Sequence, residues 1–318
     1  MVFADLKNDF VFRRIFATHP TILRGLLNDL LERQGDELIE DIEYLPSEHL
    51  PLVTGAKLSI LDVRCRDRAG ITFVVEMQLL HVPGFLNRVV YNACRAYVGQ
   101  LGAGDSYTKL TDVVAISICD FALWPDAAQD LSAAPRVPML SRWNMTERAS
   151  GARGLLHVQY AFVELPKLPQ RRPETGAELW AWLFTHAHEL DEVPPELPPG
   201  PHRDAVTLAN QATFSQAELD AYRKVIDEIQ QARDYGAEQR SEGRAEGKAE
   251  GKAEGKAEGK AEGKVEAVLA ILAARGIAVD EATRAALAAC ADPGTLDRYV
   301  ARALTARSAG DVVGPSSH

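Results

Sequence analysis

The sequence has few cysteines, no long apolar run and no excess of positive charge. Its four cysteines, Cys65, Cys94, Cys119 and Cys290, are widely separated, and no CxxC pair occurs. This spacing excludes a disulfide framework and a cysteine-based zinc site, and it favours a reducing compartment.

Membrane and secretion signals are also missing from the sequence. No apolar run approaches the roughly 20 residues that span a bilayer. The first segment, MVFADLKNDF, carries an acid where a signal peptide is basic and then apolar. We therefore expect a cytoplasmic protein with no membrane partner.

The charge balance limits how the protein can meet nucleic acid. A net charge of -10 argues against a surface that is positive overall, so any nucleic-acid binding must be local. Cations outnumber acids between residues 62 and 109, although arginines are also common on exposed strands that bind nothing. The cations of this stretch are Arg64, Arg66, Arg68, Arg88, Arg95 and Lys109.

Sequence patterns divide the chain into three parts. Residues 1–213 mix helical and strand-like segments, as an α/β domain does. Residues 214–264 read as a polar helix that runs into a repeat spacer, and residues 265–318 as a small helical region. Within the first part we expect helical segments at 8–31, broken near Pro20, and at 87–101, strands at 112–121 and 155–165, and a proline-rich loop at 191–201.

The C-terminal part is of low complexity. Ser215 and Glu218 form a capping box that starts the polar helix. The unit GKAE then recurs between Gly247 and Glu262. Each glycine costs a helix about 1 kcal/mol relative to alanine, and like charges recur at i,i+4, so we expect a marginal helix. The repeat is either a solvated spacer or a protein-binding stripe, and the tail is a candidate for assembling copies of the chain.

Helix boundaries can also be predicted in the last part of the chain. Gly276 is the expected end of one helix, and Asp280 and Thr295 are the expected starts of two others. We assign this part no chemistry.

Two apolar strands around a turn, LDVRCRDRAGITFVVEMQ, carry the acids Asp62 and Glu76. If Arg68, Ala69 and Gly70 form the loop, with glycine at the position that needs a positive φ, Asp67 pairs with Ile71. Asp62 then falls opposite Glu76. A two-residue loop would instead point the two acids to opposite faces.

Opposed acids on neighbouring strands need a compensating charge. Directly opposed Cβ atoms lie about 5 Å apart, and like charges there destabilise a hairpin. Mg²⁺ suits such a pair, because it takes one or two protein carboxylates and keeps its waters. Gln78 projects beside Glu76 on the same face, where its amide can orient a water or a phosphate oxygen. The alternative is that both acids are simply solvated on a half-exposed sheet.

Asp followed after a turn by Glu-x-Gln resembles the PD-(D/E)XK nuclease core. The surrounding sequence is similar to the Rpn family of recombination-promoting nucleases, which are also described as transposases. KNDFVFRRIF (7–16) resembles the first helix of that family, and the hairpin its catalytic hairpin. RVVYNACRAYVGQLGAGDSYTKLTDVVAISICDF (88–121) and VQYAFVELPKL (158–168) resemble its later elements. The resemblance covers roughly residues 3–240, and EG-rich tails are typical of such chains.

This resemblance implies a fold, a site and a reaction. The fold is α/β, a restriction-endonuclease-like core with a mixed β-sheet flanked by helices, followed by a helical, low-complexity tail. The implied activity is Mg²⁺-dependent hydrolysis of DNA phosphodiester bonds. Carried over residue by residue, the catalytic residues are Asp62, Glu76 and Gln78, the metal ligands are Asp62 and Glu76, and the accessory residues are Asp9, Arg88 and Tyr91.

Two positions depart from the wider pattern. Leu61 stands where the motif has proline, and Gln78 stands where many relatives in the superfamily have lysine. Glutamine is usual within the Rpn family, but it offers no positive charge. Transition-state charge must then be met by the metal and by Arg88.

Other readings of the accessory residues remain open. Asp9 also fits the first turn of a helix, where an acid stabilises the dipole. Arg88 and Tyr91 also fit simple packing and pairing on one helix face. Lys109 and Tyr107 are weaker candidates, and the eight histidines show no ligand spacing.

Two functions therefore compete at the level of sequence. The first is a metal-dependent DNA endonuclease that promotes recombination or mobile-element activity. The second is a catalytically inactive nuclease-fold protein that binds DNA or a protein partner.

Overall fold

The structure is a computed structural model. It describes residues 2–46, 48–49, 59–60, 62–125 and 136–314. Leu61, one of the two departures from the motif, lies outside the described residues. The chain divides into two compact units, Met1–Arg233 and Asp234–His318.

The first unit is built on a mixed β-sheet. The strands of the described residues are β1 (Ile42–Tyr44), β2 (Glu48–His49), β3 (Ser59–Ile60), β4 (Val63–Asp67), β5 (Thr72–Gln78), β6 (Val113–Cys119), β7 (Leu140–Met145) and β8 (Leu155–Glu164). Six of them form one sheet in the order β1-β4-β5-β6-β8-β7, whereas β2 and β3 pair with each other. The pairs β5–β6 and β6–β8 are parallel, and the other pairs are antiparallel.

Helices occur before, between and after the strands of the sheet. Their bounds in the described residues are α1 (Asp9–Phe16), α2 (Pro20–Leu30), α3 (Phe85–Val98), α4 (Gly176–His186), α5 (Pro201–Leu208), α6 (Gln216–Ala274), α7 (Glu281–Ala288), α8 (Pro293–Ala303) and α9 (Gly310–Val313). The predicted break near Pro20 is confirmed, because this proline begins α2, where its missing N–H costs nothing. None of the described helices is both long and apolar enough to cross a bilayer.

Two hydrophobic layers cover the two faces of the sheet. On one face, α1, α2, α4 and α5 pack over the side chains of Val63, Phe73 and Val75. On the other face, α3 packs over Val74 and its neighbours. The predicted central strand is confirmed as β6, in which every residue is buried. The restriction-endonuclease-like α/β fold expected from the sequence is therefore the fold observed.

The hairpin between β4 and β5 has the predicted register. Asp67 donates its N–H to the carbonyl of Ile71 at 3.1 Å, which leaves a three-residue loop. Gly70 has a φ of +87°, as the loop requires. Val63 pairs with Val75 further along the hairpin. Asp62, immediately before β4, therefore lies at the level of Glu76 on β5.

The start of α6, in the first unit, follows the predicted capping box. The Ser215 hydroxyl accepts from the Glu218 N–H at 3.3 Å, and the Glu218 carboxylate accepts from the Ser215 N–H at 2.7 Å. Each end of the box thus satisfies one N–H that the first helical turn leaves without a partner.

The second unit is helical and has a small apolar core of its own. Val268, Leu272 and Leu287 lie at its centre. The GKAE repeat is helical within α6, since lysine, alanine and glutamate all favour a helix over the single glycine in each unit. The stability of that helix stays a prediction.

Two of the three predicted helix boundaries in this unit are confirmed. Gly276, with a φ of +72°, follows the end of α6. Asp280 caps α7 by accepting the N–H of Thr283. The predicted start at Thr295 is wrong, because Asp292 caps α8 and accepts the Thr295 N–H at 2.7 Å. Asp292 is the better cap, since its carboxylate meets two free donors of the first turn beside Pro293.

Replacement of Gly70 by alanine tests the turn that sets the hairpin register. An added Cβ would lie 2.9 Å from Cγ2 of Thr111, on a residue whose φ is positive. We expect Gly70→Ala to lower the free energy of unfolding by about 1–3 kcal/mol. Chemical denaturation followed by circular dichroism measures this change.

Gly104→Ala is the matched control for that variant. Gly104 has a φ of +84° but open space around its Cα. It should therefore lose less stability than Gly70→Ala. Thr111→Ser removes the clashing methyl and keeps the hydroxyl that donates to the Gly70 carbonyl at 2.6 Å. The double variant should recover part of the loss, and equal losses in all variants would contradict the packing argument.

Candidate active site

Asp62 lies at the bend that precedes β4, and both of its carboxylate oxygens are engaged. Oδ2 accepts the backbone N–H of Met77 on β5 at 2.7 Å. Oδ1 accepts from Nη2 of Arg13, on α1, at 3.0 Å. The side chain is 10% exposed. Through these two contacts, the Asp62 side chain links the start of β4 to β5 and to α1.

Asp9 is brought to the same arginine by helical spacing. Its Oδ1 lies 3.1 Å from Nε of Arg13, one turn further along α1. Arg13 therefore bridges the two acids, Asp9 and Asp62. Asn8 caps this helix, and its side chain accepts the Phe10 N–H at 3.0 Å, which fixes where the first turn begins.

Burial dominates the electrostatics of Asp62. Loss of solvent raises its pKa to about 7, although the Met77 N–H lowers it. The neighbouring Asp9 carboxyl raises the pKa of Asp62 further, and the hydrogen bond from Arg13 lowers it. Burial thus makes the folded protein hold a proton on Asp62 more tightly than the unfolded chain does.

Glu76 lies on the face of the sheet that α3 covers. Only 5% of the residue is exposed. Its Oε1 accepts from Nδ2 of Asn92 at 2.8 Å, whereas Oε2 is buried without a hydrogen-bond partner among the described residues. Burial raises the pKa of Glu76, and Arg88 and the hydrogen bond from Asn92 oppose this rise. A buried carboxylate oxygen without a donor is costly, and a cation would satisfy it.

Gln78 and Arg88 lie next to each other at the end of β5. Arg88 donates a hydrogen bond to Oε1 of Gln78, and Gln78 donates to the carbonyl of Met77 at 2.9 Å. Arg88 also acts electrostatically on Glu76. The positive charge that glutamine cannot supply at position 78 is thus present beside it, on α3.

The remaining candidates, Tyr91, Lys109 and Tyr107, do not contact either acid. Tyr91 is 41% exposed, and its hydroxyl accepts from Arg95 at 3.3 Å. Lys109 pairs with Asp105 on an exposed turn, and Tyr107 is 83% exposed. The structure shows no contact of these three candidates with Asp62 or Glu76.

Arg13 and Asn92 are contributors that the sequence analysis did not single out. Arg13 stands four residues after Asp9, and Asn92 stands four residues after Arg88. This spacing places each on the same helix face as a predicted site residue. Helical periodicity from those two candidates is the signal that could have found them.

Both acids offer carboxylate oxygens, the hard donors that a magnesium-type cation prefers, but both oxygens of Asp62 already accept hydrogen bonds. Two carboxylates from adjacent strands lie at one level of the hairpin, and one of their oxygens, Oε2 of Glu76, is buried without a donor. Mg²⁺ accepts so few protein ligands because it keeps several waters. In the part of the chain that the structure describes, no group of three or more His, Cys, Asp or Glu side chains is placed to hold a metal.

A groove lies in the first unit, away from the two acids. It has a volume of about 850 Å³ and is lined by prolines and leucines together with Trp182 and Arg171. Asp62 and Glu76 are not among its lining residues. Size alone therefore does not locate the acids.

Asp62→Asn tests the burial of this acid through the pH dependence of stability. A carboxyl whose pKa is raised by folding binds its proton more tightly in the folded state. Stability therefore falls as the pH rises from about 4, the unfolded value, to about 7. Across this pH range, Asp62 changes the free energy of unfolding by up to roughly 4 kcal/mol. We expect Asp62→Asn to flatten the fall seen in denaturation curves between pH 4 and 7.

Asp105→Asn is the control for this measurement. Lys109 and the Gly102 N–H lower the pKa of the exposed Asp105 carboxyl, so its contribution changes below pH 4. The fall between pH 4 and 7 should persist in this variant. An equally steep fall in Asp62→Asn would show that Asp62 does not titrate as its burial implies.

Comparison with protein families gives one match to this chain. Residues 6–240 match the family described as PD-(D/E)XK nuclease family transposase. Searches of curated proteins and of solved structures found no match. The family match covers well over half of the 318 residues and agrees with the resemblance carried by the hairpin and the first helix. The chain belongs to the PD-(D/E)XK nuclease family of transposases.

Proposed function

We propose that the protein is a metal-dependent DNA endonuclease that hydrolyses phosphodiester bonds and promotes recombination or mobile-element activity. The family match supports a nuclease-like function. The observation that carries the finer proposal is the buried Oε2 of Glu76, which has no donor among the described residues and lies at the level of Asp62. A carboxylate held in this way is a ligand for a cation.

Each site residue has a role in this proposal. Asp62 and Glu76 hold Mg²⁺, and Asn92 orients Glu76 by occupying Oε1, which leaves Oε2 for the ion. A bound divalent ion lowers the pKa of a coordinated water and polarises a phosphoryl oxygen. Gln78 is fixed by its two hydrogen bonds, and Arg88 offers positive charge for the phosphoryl group beside it.

Asp9 and Arg13 set the charge of the pocket around Asp62. Arg13 contacts both acids, at 3.0 Å and 3.1 Å, so its single positive charge offsets one of their two negative charges. The position of Asp62 is also fixed from the other side by the Met77 N–H. Asp9 therefore acts as an accessory acid through Arg13. Tyr91 is retained as an accessory residue on the exposed side of α3.

The same contacts favour a second candidate, a catalytically inactive member that binds DNA or a protein. Arg13 already neutralises Asp62, and no third acid joins Asp62 and Glu76 among the residues that the structure describes. A chain that had lost catalysis could keep such ion pairs as structure. Location in the cytoplasm and DNA as the partner remain predictions in both cases.

Nicking of supercoiled plasmid DNA distinguishes these candidates. Purified full-length protein with Mg²⁺ should convert supercoiled plasmid to open circles. Loss of second-shell partners costs metalloenzymes about 10- to 100-fold, so Asp62→Ala and Glu76→Ala should each lose at least about a hundredfold in rate. Gel electrophoresis over time measures the conversion.

Asp105→Ala is the control, because it removes an exposed acid that pairs with Lys109. It should nick at the rate of the unchanged protein. Equal nicking by all of the proteins would indicate a contaminant or another site. No nicking with any divalent metal would favour the binding protein.

A separate deletion tests the proposal that the helical tail assembles copies of the chain. Removal of residues 241–318 takes away most of the second unit and leaves Met1–Arg233 intact. If the tail mediates assembly, light scattering should show a multiple of the chain mass for the full protein and a single copy for the shortened one. The same number of copies for both would reject this role.

A further inference from the structure

Two arginines of β4 point away from the larger core. Side chains alternate between faces along a strand. Val63 and Cys65 are buried in the core on the α1 side. Arg64 and Arg66 therefore project from the opposite face, the one on which α3 covers the neighbouring strands. Residues two apart on a strand are separated by roughly 7 Å.

Arg64 has apolar neighbours across both adjacent strands. Val74 on β5 pairs with it directly. On the other side, the Leu45 N–H donates to the Arg64 carbonyl at 2.9 Å, so Leu45 lies next to it. The side chain is half-buried, and its Nε is buried with no hydrogen-bond partner among the described residues. Glu76 is its diagonal neighbour on β5, but none of the ion pairs found among the described residues joins the two side chains.

Arg66 is exposed, and one acid lies opposite it. Glu43 pairs with it on β1, and Thr72 pairs with it on β5. Within the described residues, neither Arg66 nor Arg64 has a carboxylate oxygen within the 4.0 Å of an ion pair, Glu43 included. Burial and the charge of Arg66 both lower the pKa of Arg64, which remains an arginine with a full charge.

This arrangement differs from that of the other arginines near the site. Arg13 is matched by Asp9 and Asp62, and Arg68 by Glu40 and Asp41. The protein has a net charge of -10, so acids are abundant. The charges of Arg64 and Arg66 repel each other, as the lowered pKa of Arg64 indicates. A mobile surface arginine avoids that cost, but the half-buried Arg64 cannot turn freely into solvent.

Arg64 and Arg66 also continue the strand that begins at Asp62. From the acid, the chain runs along β4 through Arg64 to Arg66. Their spacing is comparable to the separation of neighbouring phosphates on one strand of DNA. A guanidinium binds a phosphate through two parallel hydrogen bonds, and it does so most strongly where water is partly excluded.

We propose that Arg64 and Arg66 hold successive phosphates of a DNA strand that runs along β4 and reaches Asp62 and Glu76. This inference rests on the proposed function for the identity of the partner. It places two backbone phosphates along β4, whereas the two acids alone would locate only the bond that is cleaved. The contacts are to phosphate, so they position the strand and carry no sequence preference.

Salt-dependent DNA binding tests this assignment without cleavage. Full-length protein is titrated into a fluorescein-labelled 30-base-pair duplex in EDTA, and anisotropy is read at several salt concentrations. Each phosphate contact contributes a slope of about -0.9 to log K against log salt. We expect Arg64→Gln and Arg66→Gln each to reduce the slope by about 0.9 and to weaken binding about three- to tenfold near 0.15 M salt.

Arg68→Gln is the matched control, because it removes the same charge from the tip of the same hairpin. Its guanidinium is 72% exposed and pairs with Glu40 and Asp41. It should leave the slope unchanged. Thermal unfolding should be unchanged in Arg66→Gln, whose side chain is exposed, so weaker binding by that variant cannot come from misfolding.

The outcomes separate this inference from the proposed activity. A smaller slope of log K against log salt in Arg64→Gln and Arg66→Gln supports the proposed phosphate track, the contacts of Arg64 and Arg66 with successive phosphates, even if plasmid nicking fails. Equal affinity and slope in all variants, or no binding by the unchanged protein in EDTA, would overturn the track even if nicking succeeds. A loss in Arg68→Gln as large as in the other two would also overturn it, since any nearby cation would then serve.

Discussion

The register of one β-hairpin is the constraint on which the candidate site depends. Gly70 takes a positive φ, Asp67 pairs with Ile71, and the strands then align Asp62 with Glu76. A slip of one residue would send the side chains of one strand to the opposite face. It would also remove the backbone N–H of Met77 from Asp62. The geometry of a loop six to eight residues after Asp62 thus decides whether the two carboxylates lie at the same level of the hairpin.

The second constraint is electrostatic, because the acids are buried rather than solvated. Asn92 satisfies one oxygen of Glu76 and leaves the other without a donor. Asp62 is held by a backbone N–H and by Arg13, and burial still raises the pKa of both acids. Structural carboxylates in a core are normally fully hydrogen-bonded. A buried carboxylate with a raised pKa and an oxygen without a donor is instead typical of a functional position.

The arginines of the first unit fall into two classes by their partners. Arg13 and Arg68 are matched by acids at ion-pair distance, so they stabilise the fold locally. Arg64 is half-buried and has no such partner in the part of the chain that the structure describes. Exposed ion pairs of the first class each contribute about 0–1 kcal/mol to the free energy of unfolding. An arginine of the second class gains no stabilisation from an ion pair, and its positive charge remains available to attract an anion, as in the phosphate contacts proposed above.

The sequence by itself determined the elements and the alignment of the hairpin. Alternation of apolar residues, Gly70 in the turn and the wholly apolar run of β6 were sufficient for this, because they are local signals with a fixed period. The family pattern added Asp62, Glu76 and Gln78. Only the tertiary structure decided that Arg13 bridges Asp9 and Asp62 and that Asn92 takes one oxygen of Glu76. It also decided that Arg64 forms no ion pair among the described residues. Those contacts join residues from different helices and strands, and their distances depend on how the layers pack, which no local period encodes.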